Sequence, residues 1–175
     1  GSALASPLVV HGPTAFPVVY DDRGVTFIAA ARADRGTVAA YGHEALANAP
    51  NSAADDRGAL LRNLVRWMAR GRADATVGYQ GSRDAVRDFL RAAGYTVRTA
   101  TPSTLDGLDV MIVDAGAQRS ADEVTRLHAW VRAGGGLIVT GHAWYWGYSN
   151  TDAYNNHPGN QLLNALGLTL TTDTD

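Results

Sequence analysis

Residues 134–168, GGGLIVTGHAWYWGYSNTDAYNNHPGNQLLNALGL, decide how this chain is read. Three glycines stop a helix and introduce the apolar run Leu137–Thr140, a strand of buried-sheet type. A His at position 142 and three aromatics, Trp144, Tyr145 and Trp146, follow at once. A polar Asn-rich loop then leads to Pro158, which opens a last helix with Leu162, Leu163 and Leu166 inward and Gly167 as its stop. Large aromatics just past a strand end are costly to leave wet. They mark either a recognition surface or a plug over the sheet.

Working backwards, the same alternation of strand and helix recurs. Residues 75–79, 95–99 and 109–113 read as strands, the last nearly pure Val, Met and Ile. Between them lie a helix from a Ser82 cap to Ala93, stopped by Gly94, and a helix opened by the capping box Ser120–Glu123. An earlier helix carries Leu60, Leu61, Leu64, Trp67 and Met68 on one stripe, with Asp55 or Asp56 as its cap. Arg62, Arg66 and Arg70 form a solvated row beside that stripe. Ahead of it, short apolar runs broken at 21–24 and 34–36 read as an antiparallel meander. The predicted fold is α/β: three layers, a doubly wound and mostly parallel sheet, with an N-terminal antiparallel β extension. The extension covers 1–47 and the α/β core 57–170, within a single domain over 1–175. Leu168–Leu170 reads as an added edge strand of that sheet.

Composition narrows the function. The chain has 175 residues, 46% apolar and 18% charged, with net charge −2. That balance excludes the basic footprint of a nucleic-acid binder and an electrostatic hold on an anionic membrane. No run reaches the length of a membrane-inserted span. Every strong cation is Arg, which with many Ala, Gly and Asp fits a GC-rich bacterial genome. Cysteine is absent, so disulfides, thiolate metal sites and a Cys nucleophile are excluded together. Gly1-Ser2 reads as a tag remnant on a piece of a longer protein, and these residues hold no signal peptide.

Chemistry gathers at strand ends. In open parallel sheets the C-terminal strand ends line the ligand crevice. Asp114 and His142 stand there, with His43, Glu44 and Tyr79 as neighbours to meet them. His43-Glu44 is not HExxH, because position 47 is Ala. An Asp–His pair needs a nucleophile, and the available Ser82, Thr140 and Ser149 lie outside any GxSxG elbow. Metal binding would need His11, His43, His142, His157 and carboxylates to converge. No spacing is diagnostic, so no metal and no cofactor is assigned. His128 reads as a packed histidine. The candidate binding residues are His142, Trp144, Tyr145, Trp146, Tyr148 and Asn150. The alternative reading is a hydrolase, metal-assisted or not, using His43, Glu44, Asp114 and His142.

The blocks GPTAFPVVYDD, FIAAARADRGTVAAYGHEAL, LLRNLVRWMA, VRAGGGLIVTGHAWYWGY and HPGNQLLNALGLTL span roughly the whole chain. Together they resemble the glutamine-amidotransferase-like module of TRPM8 channel-associated factors. A module of this kind also precedes the peptidase domain of M60-type, mucin-directed proteins. The resemblance implies a flavodoxin-like sheet with a small β addition. Class I amidotransferases place a Cys near the position held here by Val139 or Thr140, so the resemblance implies a module without glutaminase chemistry. It further implies a non-catalytic accessory or recognition role in a larger secreted, glycan- or glycoprotein-directed enzyme. The partners implied are a glycan or glycoprotein and neighbouring domains of the parent chain. The implied location is extracellular or at the cell envelope.

Overall fold

The structure is a computed structural model that describes residues 4–47, 56–81 and 83–174. Four strands come first: β1 (Leu8–Val10), β2 (Ala15–Tyr20), β3 (Thr26–Ala33) and β4 (Gly36–Tyr41). The short helix α1 (Glu44–Ala47) and then α2 (Arg57–Met68) lead into β5 (Thr76–Gln80), α3 (Asp84–Ala92), β6 (Thr96–Thr99) and β7 (Val110–Asp114). Next come α4 (Ala121–Arg132), β8 (Gly136–Thr140), two one-turn helices α5 (Trp144–Gly147) and α6 (Ala153–Asn156), α7 (Pro158–Leu163) and β9 (Leu168–Leu170).

Seven strands form one sheet in the order β2-β3-β4-β8-β7-β5-β6. The pairs β4–β8, β8–β7, β7–β5 and β5–β6 are parallel, and β2–β3 and β3–β4 are antiparallel. The mixed α/β architecture and its mostly parallel sheet are as the sequence predicts. One detail differs: β4 is more than the last strand of an appended meander. It lies parallel beside β8, in register Tyr41↔Thr140, and so joins the parallel core. Leu168–Leu170 also departs from an edge position on the main sheet, pairing antiparallel with β1 in a separate two-stranded sheet.

Both faces of the sheet are buried, as a parallel core requires. Met111, Val113, Leu137 and Val139 point to the face covered by α4 and α7, where Leu127, Val131, Leu162 and Leu163 pack. Val110, Ile112 and Ile138 point to the opposite face, covered by Leu61, Leu64, Val65 and Met68 of α2 and Val86 and Leu90 of α3. This two-residue alternation places α2 and α3 in one layer and α4 and α7 in the other. The capping box of α4 is formed: Ser120 Oγ accepts from the Glu123 N–H, and the Glu123 carboxylate accepts from the Ser120 N–H. Asp56 precedes α2, but its side chain makes no capping bond. The predicted Asp55 and Ser82 caps lie outside the described residues. Pro158 opens α7, and Gly167, at φ +87°, ends the turn after it.

Candidate functional site

The site follows from strand register. Tyr41 and Thr140 are paired neighbours at the ends of β4 and β8. Two residues beyond each of them stand His43 and His142, and their rings lie nearly parallel with centroids 4.8 Å apart. Gly141 makes the exit from β8 possible. It adopts φ +147°, and a Cβ there would press on Ala115. On the far side of His142, the Trp144 ring is stacked at 4.9 Å. Three rings therefore form one pile across the mouth of the sheet.

Glu44 ties this pile together. Its Oε2 lies 3.2 Å from His142 Nδ1 and 3.3 Å from His43 Nδ1, while Oε1 accepts from the Arg83 guanidinium at 2.8 Å. Burial works to raise the Glu44 carboxyl. The Arg83 bond, its own backbone and the two imidazoles overcome this and hold it below the usual carboxylate range. Burial pushes the His43 imidazole down, His142 and Arg83 add to the push, and Glu44 opposes it. His43 Nδ1 also accepts the Ala45 N–H at 3.0 Å, so this side chain fixes the turn into α1 as well. Glu44 is thus ionised and His43 neutral at neutral pH.

Behind the pile lies a cavity of about 390 Å³ lined by Glu44, Asp114, His142, Tyr145, Trp146 and His157, with Asn150 at its rim. Asp114 accepts the Gly116 N–H through Oδ1, which holds its carboxylate at the end of β7. His157 is fully buried, with both ring nitrogens lacking a hydrogen-bond partner among the described residues. Burial pushes its pKa down to about 4 and the charge of His142 adds to the push, while the His142 backbone and Asp114 oppose it. Trp146 meets it edge-on at 5.6 Å.

The aromatic segment is a single helical turn, α5, where the sequence reads as loop. Tyr145 and Tyr148 are 68% and 75% exposed. Trp144 is half-buried, and its indole N–H donates to Leu4 O at 2.8 Å. The structure therefore brings together all of His43, Glu44, Asp114, His142, Tyr145, Trp146 and Asn150. Tyr148 packs edge-on against Trp144 and Tyr145 and faces the adjoining groove lined by Trp146, Ser149 and Asn150. Tyr79 is drawn aside, exchanging hydrogen bonds with Arg83 through its hydroxyl. Thr140 Oγ1 is buried and donates to Val113 O at 3.4 Å. His11 bonds to Thr169 and His128 to Leu162 O, both away from the cavity. Among the metal candidates, His43 and His142 converge on Glu44, His157 lines the same cavity, and His11 does not join them.

Two contributors have no signature in the sequence. Arg83 arrives ahead of α3 to hold Glu44. Ser6, fully buried, accepts through Oγ from the Ala143 N–H at 2.8 Å and the Trp144 N–H at 3.2 Å, and its own N–H donates to Gly42 O. It thereby fastens the N-terminal segment to both strand exits. His157 is visible as a residue but not as a wall of this cavity.

A family model described as "TRPM8, N-terminal domain" (TCAF_N) matches residues 1–175. The chain belongs to the TCAF_N family. It is similar to bovine TRPM8 channel-associated factor 2, with 36% identity over 169 residues, 95% of this chain and 17% of the relative. It is likewise similar to human TRPM8 channel-associated factor 2, with 34% identity over 173 residues, 98% of this chain and 18% of the relative. The chain thus spans less than a fifth of these relatives. Among solved structures, IMPa from Pseudomonas aeruginosa in complex with an O-glycopeptide matches with a TM-score of 0.73 at 21% identity, covering 97% of this chain and 20% of that one. The IMPa metallopeptidase in complex with T-antigen matches with the same TM-score at 19% identity, covering 96% of this chain and 20% of that one. At these identities the likeness is one of fold. The vertebrate channel-associated factors overturn the expected extracellular or cell-envelope location: its basis was a secreted enzyme context, and these relatives are named for a channel. Among the described residues, no helix is long and apolar enough to cross a membrane.

Proposed function

We propose that this TCAF_N domain is a non-catalytic recognition module that holds a neutral glycan or glycopeptide at the strand-end cavity. The carrying observation is the lining itself. Trp146 and the exposed Tyr145 offer ring faces, while Asn150, Asp114, Glu44 and His142 offer hydrogen-bond partners in the same space. Sugars present apolar C–H faces and hydroxyl rims, and this mixture suits both. Two carboxylates at the wall, one of them held ionised, disfavour an anionic ligand such as a sialylated glycan. The IMPa metallopeptidase, which shares this fold, is described as a whole protein in complex with T-antigen and with an O-glycopeptide, and this supports the same ligand class.

Cys is absent, so there is no thiolate for acyl transfer. Thr140 Oγ1 is turned beneath the sheet edge on Val113 O, away from His142. A second reading is favoured by the relatives' names: the exposed aromatic turn docks an unglycosylated segment of a partner protein in a channel assembly. The two separate in one experiment. A neutral mucin-type O-glycopeptide, its sialylated form and the bare peptide are titrated into the chain by calorimetry. The glycan reading predicts binding of the neutral glycopeptide alone, and the docking reading predicts equal binding of the bare peptide. No heat from any of the three refutes the glycan reading.

A further inference from the structure

We propose that His43, Glu44 and His142 form a three-ligand centre for a divalent transition-metal ion, with zinc the best fit. This goes beyond the recognition reading and does not depend on it. Among the described residues, these three form the His/Asp/Glu group whose ligand atoms all lie within 4.8 Å of one another. Glu44 Oε2 stands 3.2 Å from one imidazole nitrogen and 3.3 Å from the other. Ligand atoms on a tetrahedral zinc, with bonds of about 2.0–2.1 Å, sit roughly 3.3 Å apart. The two separations from Glu44 Oε2 already have that length.

The scaffold is rigid in the way a metal site needs. The two histidines leave neighbouring parallel strands at the same height, because Tyr41 pairs with Thr140. Their separation is set by sheet spacing, not by a loop. Glu44 is divided in function: Arg83 holds Oε1 at 2.8 Å, which turns Oε2 towards the imidazoles. An outer-shell partner of this kind orients ligands and tunes affinity. Two imidazoles and one carboxylate make a nitrogen-rich set that suits zinc, copper or nickel and disfavours calcium and magnesium. Three protein ligands leave a further position open, and Glu44 and His142 both line the cavity into which it would face. Capture at His43 Nδ1 exchanges the hydrogen bond from Ala45 N–H for a bond to the metal.

The test uses the 175-residue chain stripped with chelator, then titrated with cobalt(II) and zinc. One equivalent of cobalt should give the visible bands of a four- or five-coordinate ion, and zinc should bleach them. Cobalt should shift the ring-proton resonances of His43 and His142 while sparing His11 and His128. Glu44→Gln, His43→Ala and His142→Ala should each weaken zinc binding by about 100-fold or more, and Arg83→Ala by about 10–100-fold. His11→Ala and His128→Ala should leave it unchanged. Absence of binding to the folded parent chain overturns the proposal. So does binding that survives in His43→Ala and His142→Ala. If those variants fail to fold, the cobalt shifts in the parent chain decide alone: shifts confined to other histidines overturn it.

Discussion

Nδ1 of His142 lies 3.2 Å from Oε2 of Glu44, although 98 residues separate them in the chain. The register of β4 against β8 creates this contact, and it fixes the charge pattern of the site. One ionised carboxylate is shared by two imidazoles and one guanidinium.

Glu44→Gln should lower the pKa of His43 further. Burial already depresses it, and Glu44 is the neighbour that favours the imidazolium. Removing that negative charge leaves burial, His142 and Arg83 acting in one direction. A proton NMR titration of the ring resonances checks this. A rise in the His43 midpoint would contradict the assigned roles.

His157 should make the fold acid-sensitive. Its folded pKa is about 4, against 6.5 in an unfolded chain. Between those values the unfolded state binds more protons, so stability falls as pH drops from 6.5 to about 4 and is held in full above that window. At about 1.4 kcal/mol per pH unit, the loss is on the order of 3 kcal/mol. Urea midpoints across that window should fall less steeply for His157→Gln than for the parent chain. Identical slopes would show that this imidazole is not the proton acceptor.

Ser6→Ala should destabilise the molecule by about 1–3 kcal/mol, because the Ala143 and Trp144 N–H groups lose their shared acceptor. Denaturant unfolding measures it. A change within about 0.5 kcal/mol, ordinary for a surface position, would mean that Ser6 does not fasten the aromatic turn.

Trp144 and Tyr145 should separate stability from recognition. Trp144→Ala removes the ring stacked on His142 and the bond to Leu4, and should cost about 2 kcal/mol or more of stability. Tyr145 is 68% exposed, so its truncation should leave the melting temperature nearly unchanged. The same variant should lose about 1–3 kcal/mol of glycopeptide binding, the scale of a modest hot spot. A Tyr145→Ala protein that melts early but binds normally would reverse the roles given to these rings.

Much of the core was legible because its signals are local. The apolar runs at 110–113 and 137–140, the Ser120–Glu123 box and Pro158 each act through near neighbours in sequence. The parallel partnership of β4 was hidden, since GTVAAY carries no mark of which neighbour it will take. Asp114, His43 and His142 were readable as strand-end residues. Glu44 as the bridge between the histidines, Arg83 as its anchor and Ser6 as the clasp were not. Each acts through a contact spanning 39 to 138 residues, which only the folded sheet brings about. The helical turn of α5 was hidden by its composition, since aromatics and glycine are weak helix formers.

If the strand-end cavity receives a neutral glycopeptide, titrating such a peptide into isotope-labelled protein should move Trp indole N–H resonances selectively. Trp146 should show saturable shifts, with Trp67 and Trp130 unmoved, and free neutral disaccharide should compete those shifts away. An unmoved Trp146 at saturating glycopeptide would contradict this reading.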